Sequence, residues 1–91
     1  MTKVQAKLDW DKTAANKYAD MIKKIPLFHR EIAKRVVDRK AELIAIERGS
    51  EIVEESDIVQ AFFTEVPMAF YSLMVRLLDE GGFDYKRFEP K

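Results

Sequence analysis

Few side chains in this sequence are equipped for acid–base or nucleophilic chemistry. Its one histidine, His29, has no cysteine anywhere in the chain to activate, and a serine or threonine would have to be brought to it from a distant segment together with an orienting acid. One histidine without cysteines also argues against a zinc site, whose remaining ligands would all have to be carboxylates. The acidic run Glu51, Glu54, Glu55 and Asp57 lacks the alternating oxygens and glycine of a calcium loop, and reads as negative charge placed at a helix start. No glycine-rich phosphate loop occurs, and Gly81–Gly82 reads as a helix stop. These residues predict a chain that is not an enzyme by itself and that holds no metal or cofactor. The remaining candidates are surface groups. His29, Arg30 and Lys34 stand at the start of a helix opened by Pro26, where free amides and cations suit an anionic partner.

The element that must position those groups runs from Ile25 to Ile58. Proline has no amide hydrogen to donate and disfavours the α conformation before it, so Pro26 ends a first helix of about Lys12–Lys24 and opens a second. In the second helix Phe28, Ile32, Ala33, Val36, Val37, Ala41, Leu43 and Ile44 form a broad apolar face, widened by Ala45 and Ile46. Arg30, Glu31, Lys34, Arg35, Asp38, Arg39 and Glu42 are expected opposite, with Glu31–Arg35 and Lys34–Asp38 at ion-pair spacing. Gly49 supplies the left-handed stop. Ile52–Val53 is a short extended piece, and a third helix of about Glu54–Thr64 buries Ile58, Val59, Phe62 and Phe63.

Pro67 opens a fourth helix to about Asp79, with Phe70, Leu73, Met74, Leu77 and Leu78 on one stripe. Met68, Phe70, Tyr71 and Met74 are expected in the core. No further helix is expected in the tail, where Phe83, Tyr85 and Phe88 are placed to pin it to the bundle. Trp10 is expected as a buried anchor before the first helix, capped by Asp9 or Asp11. Residues 1–9 read as a flexible arm and 10–91 as one all-α domain of four helices around the long central one.

The 91 residues suffice for one core, and 47% apolar with 35% charged residues describes a folded domain. No apolar run reaches a membrane span and the opening MTKVQAKLDW is too polar for a signal peptide, which points to a cytoplasmic protein without membrane contact. Net charge is zero but unevenly spread. Met1–Ser50 carries twelve bases against seven acids, and Glu51–Lys91 four against nine, giving +5 and −5. Two halves that neutralise each other on packing explain this more simply than a nucleic-acid face or a contact between copies.

Trp10, Ala14, Ile25, Pro26, Phe28, Arg30, Glu42, Ala45, Gly49, Ile52, Glu55 and Ala61 together resemble the small C-terminal domain of the light-independent protochlorophyllide reductase B subunit. His29 stands where that family usually has valine, Val53 where it has a threonine cap, and the last helix and tail extend past its usual end. The resemblance implies an accessory or interaction domain that docks on a redox or tetrapyrrole enzyme. It carries over no catalytic residue, because the reductase's cysteine ligands lie outside this domain. A second resemblance, of RGSEIVEESDIVQAF to the loop and third helix of histone-fold proteins, implies a DNA-binding alternative, with the chain a monomer or a homodimer.

Overall fold

A computed structural model describes residues 8–88. The expected all-α domain is present, with one very small sheet. Its elements are β1 (Asp9–Trp10), α1 (Lys12–Ile22), α2 (Leu27–Glu47), β2 (Ile52–Val53), α3 (Glu55–Glu65), a 3-10 turn Met68–Phe70, α4 (Tyr71–Glu80) and a one-turn α5 (Tyr85–Phe88). Asp9, read as part of the arm, thus belongs to a strand, while residues 1–7 lie outside the described residues.

Local chemistry accounts for the helix boundaries. Asp11 caps α1 by accepting the Ala14 amide at 2.9 Å. Pro26 is the residue before α2, and helix α2 then runs 21 residues to the stop at Gly49, whose φ of 78° is in the left-handed region. The amides of Gly49 and Ser50 donate to the carbonyls of Ile46 and Ala45, each at 2.9 Å, closing the last turn. Gly82, at φ 87°, makes the corresponding turn after α4.

β1 and β2 pair in parallel, Asp9 opposite Ile52 and Trp10 opposite Val53. The Asp11 amide extends the ladder to the Val53 carbonyl at 2.8 Å. The extended piece after α2 therefore finds its partner within the same chain. This pairing brings Trp10 over the bundle, where its ring stacks on Tyr18 at 5.5 Å and its indole N–H donates to Glu42 at 3.2 Å.

The core lies between α2 and α3 and is closed by α1 and α4. Met21, Val37, Ala41, Ala45, Val53, Ile58, Val59, Ala61 and Leu78 are fully or almost fully buried. The stripe of α4 is narrower than expected. Met74, Leu77 and Leu78 are buried, whereas Phe70 and Leu73 are 58% and 45% exposed, as is Met68 at 79%. The reason is the 3-10 turn after Pro67, which changes the winding before the α-helix begins and takes Met68 and Phe70 off the buried stripe. The tail is pinned as expected: Phe83 is buried, and Tyr85 and Phe88 pack against the core from α5, a helix the sequence reading did not anticipate.

Candidate interaction surface

The groups expected to meet an anion are largely engaged within the chain. Arg30 Nη2 donates to the Lys23 carbonyl at 2.7 Å and to that of Ile25 at 3.1 Å, so its guanidinium satisfies carbonyls at the end of α1. Lys34 pairs with Asp38 at 2.8 Å, the expected i,i+4 contact. His29 is exposed, its ring 4.1 Å from that of Phe28. Arg30 and Lys34 thus serve the α1–α2 corner and the α2 flank, and His29 alone of the three presents its side chain without such a partner among the described residues.

Asp38 also accepts from the Tyr18 hydroxyl at 2.6 Å, with the Lys34 carbonyl 3.2 Å away. Burial, the hydrogen bond to Asp38 and the charge of that carboxylate push the Tyr18 hydroxyl well above the usual tyrosine range. Such a group is a hydrogen-bond donor that holds α1 on α2 and is no proton shuttle at neutral pH.

The acidic start of α3 is more than helix-dipole electrostatics. Asp57 is buried, and its carboxylate receives Arg48 Nε at 2.8 Å and Nη2 at 2.7 Å as a bidentate pair. It also accepts the Glu54 amide at 2.8 Å, one half of a capping box. The hydrogen bond to Asp57 holds the Arg48 guanidinium above its ordinary range. The pair spans the turn at Gly49 and locks α2 to α3. Its sequence signal was an arginine just before the glycine stop and an aspartate three residues into the next helix. No group of three or more potential metal ligands occurs among the described residues.

Much of what α2 leaves uncovered is apolar. Phe28 is 78% exposed and Ile32 63%, followed by Ile46, Leu43 and Val36. At about 100° per residue these positions, with Arg39 among them, fall within an arc of about 80° opposite Val37, Ala41 and Ala45. The broad apolar face expected of this helix is therefore two faces, one inward and small-residued, one outward and large. Its sequence signal was the width of the apolar arc, which exceeds what a helix packed on one side needs. Shallow depressions elsewhere, one beside Arg76, Asp79 and Asp84 and one beside Asp9 and Ser50, are open and lined by a mixture of polar and apolar residues.

The charge asymmetry is met across the core. Lys17–Glu55 at 3.0 Å, Lys24–Glu80 at 3.7 Å and Arg48 with Asp57 and Glu54 all join the basic first half to the acidic second. Comparison with protein-family models, curated proteins and solved structures gives no match to this chain.

Proposed function

We propose that this protein is a non-catalytic interaction module whose working surface is the outer face of α2. The observation that carries the reading is the run of large apolar side chains from Phe28 to Ile46, exposed along about 27 Å of helix. A contiguous apolar patch of that length is rare on a protein that works alone, because it leaves water in contact with surface a partner would cover. In its finer form the reading is an accessory domain that docks on a redox or tetrapyrrole enzyme, which rests on the resemblance of the Trp10–Ala61 segment.

A photocrosslinking residue at position 32, with another at exposed Asp20 as control, tests the reading in the native cell. Adducts heavier than the chain are expected from position 32 and not from position 20; equal or absent yields would overturn it. Duplex DNA is the second reading, favoured by the short–long–short order of α1, α2 and α3. Fluorescence polarisation with a generic duplex at about 50 and 200 mM salt decides it, since binding through phosphate contacts collapses over that range. The interleaved acids on α2 and the ion pairs that neutralise Lys17, Lys24 and Arg48 predict no micromolar binding at the lower salt.

A further inference from the structure

We infer that the occupant of this face is a second copy of the chain, with the two α2 helices antiparallel. The inference rests on the interaction reading and names its partner. The outward positions are Phe28, Ile32, Val36, Arg39, Leu43 and Ile46, and they are symmetric, to within a residue, about a point between Val37 and Asp38. Turning a second helix end for end about that point sets Phe28 against Ile46, Ile32 against Leu43 and Val36 against the aliphatic stem of Arg39. Each large side chain meets an apolar one, and the Arg39 head reaches solvent at the seam. An isologous two-fold contact requires this self-complementarity. A surface shaped for an unrelated partner has no reason to possess it.

The flanks agree with the same operation. On one side of the stripe stand Arg35 and Glu42, on the other His29 and Glu47, and each pair is symmetric about the same point to within a residue. In the antiparallel arrangement like flanks face each other. Arg35 then meets Glu42 of the second copy, twice, and His29 meets Glu47 of the second copy, twice. Glu42 is suited to this because the indole of Trp10 occupies only its Oε2, leaving Oε1 for a second donor. A parallel pair would instead set the Arg35–Glu42 flank against the His29–Glu47 flank, bringing Glu42 toward Glu47 of the second copy.

The area is of the right order. Standard interfaces bury about 800 Å² per partner, and monomers rarely expose apolar patches beyond ~300–600 Å². Phe28, Ile32, Val36, Leu43 and Ile46 are between 37% and 78% exposed, so with the stems of Arg35 and Arg39 they approach what a modest dimer needs.

The full chain contains no cysteine, which makes the geometry directly testable. In antiparallel helices, Ile32→Cys in one copy lies opposite Leu43→Cys in the other, while two Ile32→Cys positions are separated by about 16 Å, beyond the ~7 Å Cα limit of a disulfide. Mixing the two single variants under mild oxidation is expected to give the mixed disulfide in preference to either like pair. Sedimentation of the wild-type chain is expected to give a dimer, and Ile32→Glu, at a position exposed in the monomer, to weaken dimerisation roughly 100-fold with circular dichroism unchanged.

A wild-type chain that sediments as a monomer at about 100 μM, or like-pair disulfides in excess of the mixed one, would overturn the inference. If photocrosslinks from position 32 then run at masses other than twice the chain, the second copy is excluded and the interaction reading stands. If no crosslink forms, both fall.

Discussion

Arg48 and Asp57 make the most consequential side-chain pair. A buried carboxylate is tolerable only because the guanidinium and the Glu54 amide satisfy it, so removing the cation costs more than the bond was worth. Arg48→Met is expected to lower stability by about 2–4 kcal/mol, measured by urea unfolding, whereas Lys34→Met, which breaks an exposed pair with Asp38, should cost below ~0.5 kcal/mol. Tyr18 gives a pH dependence with a definite sign. Its hydroxyl ionises at higher pH in the folded chain than in the unfolded one, so the folded state retains a proton that the unfolded state releases. The stability this contributes is fully present below about pH 10 and is lost as pH rises beyond it. Thermal unfolding followed from pH 9 to 11.5 should show that fall in the wild type and a smaller one in Tyr18→Phe.

Helix α2 is the element on which everything else rests, and its two faces should respond oppositely to substitution. Val37 is 2% exposed, so Val37→Asp places a charge in the core and is expected to unfold the domain. Ile32→Glu changes a solvent-facing position and should leave monomer stability within ~0.5 kcal/mol, read by chemical denaturation at a concentration low enough to prevent association. At its end, Gly49→Ala meets no steric obstacle from neighbours, and its cost of about 1 kcal/mol comes from the left-handed backbone alone.

Over the whole molecule, the basic and acidic halves are joined by ion pairs, and the tail closes the far end of the bundle. Lys17 links three segments at once: it donates to Glu55 and to the Gly82 carbonyl, both at 3.0 Å, while Glu55 accepts the Asp84 amide at 3.0 Å. These contacts carry Phe83 into the core at 3% exposure. Phe83→Ala is expected to cost about 3–5 kcal/mol, a melting temperature lower by ten degrees or more for a domain of this size. Because every cross-half pair but Arg48–Asp57 is at least partly exposed, raising salt from about 0.1 to 1 M should move the melting temperature far less than that substitution does.

The starts and stops of α1, α2 and α3 and the stop of α4 were legible in the sequence by itself, whereas α5 and the 3-10 turn before α4 were not. Pro26, Gly49, Pro67 and Gly82 impose backbone conditions that hold whatever the chain packs against, and the Asp11 cap acts on an amide three residues away. The tertiary structure decided what depends on residues far apart in the chain. Ile52–Val53 became a strand because Asp9–Trp10 lies beside it, and Asp57 became a buried anchor because Arg48 turns toward it. Phe28, Ile32 and Val36 belong to the broad apolar face expected of the second helix, and they face outward because α2 carries apolar residues on opposite sides. Periodicity reveals that such a helix has two faces; only α3, packed on Ala41 and Ala45, determines which one is buried.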